Sequence, residues 1–547
     1  MIFSSLLESL TVLSVSSFIN QIQVSGNNNA INLFDINFLN NISSFNPTTT
    51  FIILIILSTF LRIFTLWFSC KSSAIIGNEF TINAYYRILN WPYKKHLKVN
   101  SSDNTAALTQ FSKSIVGTIN NFLLIIHSFF IATSISLTLL KVDFKLSLSL
   151  IFIISGAYIS NIFLTSNWVN KTSSIVKKET LNTFKIIKES LDGIKDIIMN
   201  DTFNKEIRNL VSRDFRLKNA VVNNKFISVY PRYLFEAVIL ICLVLFSISE
   251  KNSIGSAQII SQLTIFAFGA QKLLPSLQNI YASLSAMKHM ASKADNILEI
   301  IQNRNSKLNL NIDQLSIEKS KIKEKIFNNK LELKSIYYRH DNSNKYILKD
   351  FNLTLKRGEF LALMGPSGKG KTTLIDIIMG LIIPEKGIIK VDEKYILKNQ
   401  SLNNITNWRY SISHVPQNVF LLDSTIKDNI IYNSKNYSKK DIQKRLDEVS
   451  KIVCLEELIN SLPKGYSEIV GERGSRFSGG QVQRIGLARA IFNKNPIIIL
   501  DEATSGLDAE LEEKILKNIK RSCKGSSLIM ITHRVESASV CDRIIYI

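Results

Sequence analysis

Long apolar runs crowd the first half of this chain. A membrane-spanning α-helix needs about 20 mostly apolar residues. Five runs reach or approach that length, and a sixth at its start is weaker because Glu8 and several serines dilute it. The pattern predicts an all-α polytopic membrane domain of about six long transmembrane helices, with spans at 1–22, 51–70, 114–140, 146–166, 233–249 and 256–284.

The second half has a different pattern, in which short apolar segments alternate with polar ones as in a soluble α/β domain. A polar stretch rich in Lys and Asn separates the two parts. We therefore predict a transmembrane domain at 1–285, a linker with some helix at 286–327, and an α/β domain at 328–547.

The lysines and arginines in the connections predict the orientation of the chain. The connection around 23–50 contains neither residue, whereas the long connections at 94–113 and 167–226 are rich in basic residues, as lysine in the first and as lysine and arginine in the second. We therefore expect these basic connections, and everything after residue 285, in the cytoplasm. The chain is predicted to be a multi-pass protein of the cytoplasmic (inner) membrane.

The formal net charge of the chain is +22, and its pI is near 9.6. Such a charge can indicate a nucleic-acid partner. Lysine is abundant throughout, however, and basic residues crowd the segments assigned to the cytoplasm, where anionic lipid lies. We therefore expect a membrane, and no nucleic acid, as partner. The five cysteines show neither metal-ligand spacing nor a disulfide framework.

Three basic residues fall within or beside the apolar runs: Arg62, Arg232 and Lys272. A charge near hydrocarbon is costly and normally faces a cavity, a partner or the membrane interface. The three could line a substrate cavity, along a path for an anionic substrate. Alternatively, each snorkels to the interface or makes a structural ion pair, such as Arg232 with Glu236.

The segment "EFLALMGPSGKGKTTLIDIIMGL" (359–381) is typical of a strand, a glycine loop and a helix. Its centre fits the G-x-x-x-x-G-K-[ST] phosphate loop of P-loop NTPases, whose backbone N–H groups surround phosphates. Lys371 is expected to reach the β and γ oxygens of ATP, and Thr372 to bind Mg²⁺. The predicted ATP-binding residues here are Gly365, Pro366, Ser367, Gly368, Lys369, Gly370, Lys371, Thr372 and Thr373.

The segment "NPIIILDEATSGLD" (495–508) is an apolar strand that ends in two acids. Asp501 is placed to hold Mg²⁺, and Glu502 to act as general base on the attacking water. Two solvated acids after a buried strand are the alternative. The phosphate loop upstream favours the catalytic interpretation.

A second candidate anion site is "RFSGGQVQRIGLARA" (476–490), where a serine and two glycines precede a helical run. This segment contains one of six motifs that together resemble the ATPase domain of ABC transporters. In chain order they are "GPSGKGKTT", "HVPQN", "FSGGQVQR", "ILDE", "SGLD" and "ITHR". The resemblance covers 328–547. About six spans ahead of one such domain resemble a type I exporter half-transporter.

In that family, two ATPase domains face each other head to tail, and each ATP lies between one phosphate loop and the other domain's signature loop. The resemblance implies that Ser478, Gly479, Gly480 and Gln481 contact the nucleotide of a second half-transporter chain. Because this chain has one copy of each motif, a homodimer is the simplest arrangement, with a heterodimer as the alternative.

Further roles follow from the resemblance. It implies that Gln417 contacts Mg²⁺ and the attacking water, that His533 lies near the γ-phosphate, and that Asp508 crosses the dimer seam. The plain alternatives are a surface turn, a strand-end histidine and a helix N-cap, respectively. The aromatic group that stacks on adenine falls at His340, with Tyr338 as the alternative.

The sequence departs from the family at two places. Phe477 stands where the family usually has Leu, and both are apolar. The chain ends at "CDRIIYI", where the family usually continues through another turn and strand, which suggests an incomplete sequence.

The resemblance implies ATP-driven export or flipping, with ATP and Mg²⁺ as cofactors. Force would pass through short cytoplasmic helices near 99–108 and 196–204. The mildly amphipathic stretch at 31–42, with the cationic residues, is similar to flippases of lipid-linked oligosaccharides; an ordinary loop is the alternative. A multidrug, lipid A-like or peptide exporter is the second candidate. The spans disfavour a non-transporting ATPase.

Overall fold

The computed structural model describes residues 1–24, 47–100, 104–105, 108–109, 112–249, 256–302, 324–341, 343–398, 401–402, 404–432 and 438–547. The predicted external element at 31–42 lies outside the described residues, as does part of the predicted helix at 99–108.

The first half of the chain is entirely helical where it is described. Six of its helices have 23 or more residues. In chain order the helices are α1 (Ile2–Val24), α2 (Pro47–Leu89), α3 (Tyr93–Lys98), α4 (Ser112–Val142), α5 (Phe144–Asp192), α6 (Ile194–Met199), α7 (Phe203–Ser249) and α8 (Ser256–Gln302).

Four stretches of the described residues are long and apolar enough to cross a membrane: Thr48–Leu89, Ser112–Val142, Phe144–Asp192 and Phe203–Leu245. With α1 and α8, they give the six long helices that the apolar runs predicted, so the all-α membrane domain is confirmed. At 1.5 Å per residue, a helix of 43 residues is roughly 65 Å long, about twice the thickness of the hydrocarbon core. The long helices therefore extend well past the bilayer.

The apolar core of the membrane domain is formed by α1, α4, α5, α7 and α8. Ile135, Ile265 and Phe266 are almost fully buried in it, and the rings of Tyr158 and Phe235 lie 4.3 Å apart. Helix α2 differs, since only 6% of its most apolar window is buried within the chain. Its apolar side chains therefore point outward, as expected for a helix surrounded by lipid.

Helix α6 lies where the second short cytoplasmic helix was predicted, at 196–204. It begins two residues earlier and ends at Met199. The next residues explain the early end, because Asp201 adopts a left-handed backbone conformation with φ of 49°. Such a conformation cannot continue a right-handed helix.

The chain divides into two compact units, one of Met1–Trp91 with Lys95–Leu310 and the other of Asn311–Ile547 with the short segment Pro92–Lys94. The predicted boundaries at 285 and 328 stay predictions. The second unit has ten strands among its described residues: β1 (Lys330–Tyr338), β2 (Leu348–Lys356), β3 (Phe360–Met364), β4 (Lys386–Val391), β5 (Lys394–Lys398), β6 (Ser401–Leu402), β7 (Ile412–Val415), β8 (Ile497–Asp501), β9 (Ser527–Ile531) and β10 (Arg543–Tyr546).

These strands form two sheets. One is antiparallel, in the order β2-β1-β4-β5-β6, and the other is parallel, in the order β10-β3-β9-β8-β7. The helices of this unit are α9 (Lys371–Ile378), α10 (Ile405–Tyr410), α11 (Ile426–Ile430), α12 (Lys439–Ile452), α13 (Glu456–Ser461), α14 (Gly479–Phe492), α15 (Ala509–Ser522) and α16 (Val535–Ser539). The α/β domain predicted for this half is confirmed.

The parallel sheet explains how distant motifs come together. All five residues of β3 and of β9 are buried, as expected for parallel strands that are covered on both faces. Parallel strands end at one edge of the sheet, and ligands of such folds bind outside the carboxyl ends of the strands. The phosphate loop follows β3 and Gln417 follows β7. Glu502 follows β8, and His533 follows β9.

Candidate active site

The phosphate loop at 365–370 connects β3 to α9. Gly370 adopts a φ of +95°, and a Cβ atom there would lie 2.4 Å from the side chain of Ile347, so glycine is required at this position. The ammonium group of Lys371 is buried and donates to the carbonyl groups of Gly365 at 2.6 Å and Pro366 at 2.9 Å. The ammonium group of Lys371 thus lies inside the phosphate loop, where it is predicted to bind phosphate oxygens.

Two of the three predicted protein ligands of Mg²⁺ contact each other. The Thr372 hydroxyl hydrogen-bonds to the Asp501 carboxylate. Burial raises the pKa of Asp501, and the neighbouring Glu502 adds to this effect. Burial also raises the pKa of Asp376, on α9, to about 6, and Asp501 contributes. Crowded carboxylates beside a hydroxyl suit a divalent cation, which lowers the cost of their mutual repulsion.

Glu502 lies between the two other predicted catalytic residues. Its carboxylate accepts from Gln417 Nε2 at 2.8 Å and lies 3.0 Å from His533 Nε2. The backbone of Glu502 adopts a φ of 48°, a conformation that costs energy for a residue other than glycine and occurs often at active sites. Three loops of the parallel sheet therefore bring one potential general base and two polar partners together.

The two candidates for adenine stacking differ in exposure. Tyr338 is only 3% exposed and belongs to the core beneath the antiparallel sheet. His340 is exposed, and its ring lies edge-on to that of Tyr338, with 5.5 Å between the ring centroids. A base can stack only on an accessible ring face, so burial favours His340.

The signature loop at 476–480 caps α14. Ser478 accepts from the backbone N–H of Gln481, and the Gln481 side chain accepts from the Ser478 N–H at 2.9 Å, which completes a capping box. A Cβ atom on Gly479 would meet nothing within 4 Å, whereas one on Gly480 would lie 2.9 Å from the carbonyl oxygen of Gly506. Gly479 therefore presents an open backbone surface, and Gly480 permits close packing.

Asp508 is the N-cap of α15, which was the alternative to a role at the dimer seam. Its side chain accepts from the Leu511 N–H at 3.1 Å. Among the described residues, no side-chain hydrogen bond or ion pair joins Ser478, Gln481 or Asp508 to Lys371 or Glu502. The predicted site residues thus form two groups within one chain.

A buried network next to these groups was missed by the sequence motifs. Glu512, 1% exposed, accepts from the Thr504 hydroxyl at 2.7 Å and from Arg534 at 2.6 Å. Arg534 directly follows His533, and it also donates to the carbonyl group of Leu507. The network therefore connects the loop after Glu502 to Arg534, the residue that follows His533. Its only signal in the sequence is an acid four residues after Asp508, a common residue on any helix.

Gln483 provides a second missed contact. Its side-chain oxygen accepts from the Gly506 N–H at 2.9 Å, and its amide nitrogen lies 3.3 Å from the Ser505 hydroxyl. Helix α14 and the loop before Asp508 therefore hold each other in position.

Two of the three membrane cations make contacts with helix α1. Arg62, which is partly exposed, lies 3.8 Å from the buried carboxylate of Glu8. Lys272 donates to the Thr11 hydroxyl at 2.8 Å. Arg232 is exposed, and no ion pair joins it to Glu236 in the described part of α7.

Helix α1 turns a polar face inward, which explains its weak hydropathy. Its buried polar residues are Ser4, Ser5, Glu8, Ser9, Thr11 and Ser14, whereas Ile2, Phe3 and Leu6 are exposed. The serine and threonine hydroxyls donate to carbonyl groups of their own helix, which satisfies them in an apolar setting. In the sequence, Glu8 only made the first apolar run less hydrophobic. In the structure it is the buried ion-pair partner of Arg62.

Comparison with known proteins shows similarity to ABC transporters and exporters. The family model described as ABC transporter matches residues 348–505. An export ATP-binding/permease protein of Rickettsia typhi is 28% identical over 526 residues, which cover 93% of this chain and 86% of the relative. An ATP-dependent lipid A-core flippase of Bordetella avium is 29% identical over 379 residues, which cover 68% of this chain and 61% of the relative.

Among solved structures, a bacterial Atm1-family ABC exporter with ATP bound has the same fold. The TM-score is 0.77 at 18% sequence identity, and the match covers 100% of this chain and 93% of the other. The match therefore includes both the helical membrane domain and the ATPase domain.

The predicted location and activity are thereby confirmed. The protein is a multi-pass inner-membrane protein whose ATPase domain lies in the cytoplasm, and it binds and hydrolyses ATP to drive export. Residues 348–505 match the ABC transporter family model, and the chain as a whole is similar to exporter half-transporters in which one membrane domain precedes one ATPase domain.

Proposed function

We propose that this half-transporter exports or flips a lipid-type substrate as a homodimer, with ATP hydrolysis at two composite sites. The observation that carries the catalytic part is the position of Glu502 between Gln417 and His533, at 2.8 and 3.0 Å. In this proposal, Glu502 is the general base that takes the proton of the attacking water. Gln417 orients that carboxylate, and His533 lies on its other side toward the γ-phosphate.

The remaining residues bind the nucleotide. The phosphate loop and Lys371 hold the phosphates, and His340 stacks on adenine. Thr372, Asp501 and Gln417 would hold Mg²⁺, which neutralises charge on the phosphates when it is bound. The raised pKa of Asp501 and its contact with Thr372 support this assignment, because a cation relieves the crowding of carboxylates there.

A second copy of the chain completes each site in this proposal. Ser478, Gly479, Gly480 and Gln481 approach the γ-phosphate held by the other copy, and Asp508 lies at the seam. The open surface at Gly479 supports this role, since nothing in its own chain lies within 4 Å of a Cβ atom there. Exporters of this fold are typically dimeric.

The lipid-type substrate is supported by two observations. A relative is named as a lipid A-core flippase, and the membrane domain holds a buried acid and two cations on three different helices. Arg62 is partly exposed, and the one ion pair that it makes with a described residue is long at 3.8 Å. Its guanidinium group therefore has donors for an anionic headgroup. A lipid-linked oligosaccharide, with its pyrophosphate, is the specific substrate that we favour.

The test is a flipping assay in liposomes, paired with ATPase measurements with and without a polyprenyl-pyrophosphate oligosaccharide. We expect the substrate to stimulate hydrolysis, and Arg62→Ala to abolish the stimulation while basal hydrolysis continues. Ser58→Ala is the matched control on α2, because Ser58 bonds only within its own helix.

Other outcomes would contradict parts of the proposal. Stimulation by cationic drugs, with none by the oligosaccharide, would favour a multidrug exporter of the same architecture. Stimulation by lipid A-like lipids alone would keep the lipid class and reject the lipid-linked oligosaccharide. Stimulation that survives in Arg62→Ala would remove Arg62 from the substrate path.

A further inference from the structure

A cavity in the ATPase domain lies at the opposite end of the parallel sheet from the phosphate loop. Its volume is about 390 Å³, which is in the range of small-molecule sites. Asn495 and Pro496, just before β8, line it, as does Ser526, just before β9. These residues lie at the amino ends of the strands, whereas the predicted catalytic residues follow the carboxyl ends.

Three elements connect this cavity to the nucleotide groups. Strand β8 is five residues long and leads directly to Glu502. Strand β9 has the same length and leads to His533. Helix α14 begins next to Ser478, and its last turn, at Ile491, lines the cavity. A ligand in the cavity would therefore touch the far ends of all three.

The lining is strongly cationic. It contains five basic side chains and one carboxylate, and these are Lys325, Arg357, Arg445, Lys494, Lys524 and Glu448. The formal charge of these six side chains is +4, from five positive charges and one negative charge. Such a concave and positive surface concentrates anions.

Three of the cations build the walls of the cavity. Arg445 is buried and pairs with Glu448 at 2.7 Å. Lys325 and Arg357 donate to backbone carbonyl groups of neighbouring loops, at 2.5 and 3.2 Å. Their positions are therefore fixed by the protein itself.

The other two cations are available to a ligand. Lys494 and Lys524 are exposed, and in the described part of the chain neither ammonium group makes a hydrogen bond or an ion pair within 4 Å. Burial also lowers the pKa of Lys325, which indicates that its positive charge lacks a close counter-charge. An anion would supply one.

We propose that this cavity binds a small polyanion with two or more phosphate groups, and that the bound ligand changes the rate of ATP hydrolysis. Lys494 and Lys524 form charge-assisted hydrogen bonds with its phosphate oxygens. The ligand links the loops before β8 and β9 and thereby restricts the strands that position Glu502 and His533. Binding is independent of the function proposed above, whereas the effect on hydrolysis rests on the roles proposed for those two residues.

The binding test uses 2,3-bisphosphoglycerate as the probe and the full-length chain in detergent. The background variant is Lys371→Ala, so that the phosphate loop contributes little to binding. Isothermal titration should give saturable binding. Adding Lys494→Gln and Lys524→Gln should raise Kd at least tenfold. The matched control, Lys349→Gln with Lys394→Gln, removes two exposed lysines of the antiparallel sheet and should leave Kd within twofold.

The regulatory test uses the intact phosphate loop and saturating ATP with Mg²⁺. The probe should change kcat at least twofold in the wild type and leave kcat unchanged in Lys494→Gln/Lys524→Gln, whose kcat without probe should equal that of the wild type. Absence of saturable binding, or equal binding to the double variant, would overturn the site. Binding without any change in kcat would overturn the regulatory role alone, and an equal change in the double variant would place the effect elsewhere.

Discussion

The ATPase domain has two glycine-containing helix starts, and they are built differently. Helix α9 starts after Gly370 without any side-chain cap, and the buried Lys371 and the acids Asp501 and Glu502 lie close by. Helix α14 starts at Ser478 with a complete capping box. The N-terminal N–H groups of α9 are therefore available to a ligand, whereas those of α14 are hydrogen-bonded by the side chains of its own capping box.

This difference is consistent with the different tasks that we propose for the two loops. A phosphate loop with a lysine, a hydroxyl and two acids can hold a nucleotide and its metal. A capped helix N-terminus without a lysine can interact with a phosphate only through the helix dipole and through close approach of its glycine backbone. The signature loop therefore fits a nucleotide that another chain already holds, which is the basis of the proposed dimer.

The largest expected effect is at Glu502, the proposed general base. Glu502→Gln keeps the shape of the side chain but cannot accept the proton of water. We expect kcat to fall by about 10³-fold while ATP binding is retained. Single-turnover hydrolysis and nucleotide trapping would measure this, and near-normal turnover would show that another group is the base.

The next effect tests the signature loop. Gly479→Asp places a carboxylate where its own chain has open space, so folding should be unaffected. Like-charge repulsion with the phosphates should lower kcat by about 100-fold and change ATP binding little.

The control for this prediction is Gly480→Ala, whose Cβ atom would meet the Gly506 carbonyl oxygen at 2.9 Å. It should destabilise the chain itself. If Gly479→Asp hydrolyses ATP at the normal rate, the signature loop does not face a nucleotide.

The positions of the proposed nucleotide-site residues follow largely from the sequence, because the motifs are short and their spacing is local. The strand before Gly365 and the helix after it position Lys371 wherever that segment folds. The interaction of Glu512, on α15, with Arg534, just before α16, joins residues that lie 22 apart in the chain, and neither residue type is unusual at its position. Such pairs depend on tertiary packing, which the motifs do not contain.

The membrane domain shows the same limit. Apolar runs predicted the spans, but the pairing of Arg62 with Glu8 depends on how α1 and α2 face each other. The choice between His340 and Tyr338 likewise follows from the register of β1, which buries Tyr338.

The next prediction concerns the loop that Gly480 packs against. Glu512→Gln weakens the charged hydrogen bonds of this network, and because Arg534 is itself 39% exposed and can be solvated, the free energy of unfolding should fall by about 2 kcal/mol. Glu513→Gln is the matched control one residue away, because Glu513 pairs with Lys517 at the surface and should cost less than about 0.5 kcal/mol. Thermal unfolding of both variants measures the difference, and equal losses would show that the buried network is not important for stability.

The smallest effect concerns α9. Because the pKa of Asp376 is about 6 in the folded protein and 3.8 is its ordinary value, the folded state holds more protons than the unfolded state between these values. Stability should therefore fall as pH rises from about 4 to about 6. Asp376→Asn should remove this decrease and add about 1 kcal/mol above pH 6, after allowance for solvent screening, and nothing below pH 4. Unfolding midpoints across this pH range would test it, and a gain that is independent of pH would contradict it.

The most direct test of the composite site mixes two inactive variants, Lys371→Ala and Gly479→Asp. In a mixed dimer, one site combines both defects and the other combines an intact phosphate loop with an intact signature loop. We predict that mixed dimers regain ATP hydrolysis, up to roughly a quarter of the wild-type rate if the chains pair at random. A mixture no more active than either variant alone would contradict a site that is shared between two chains.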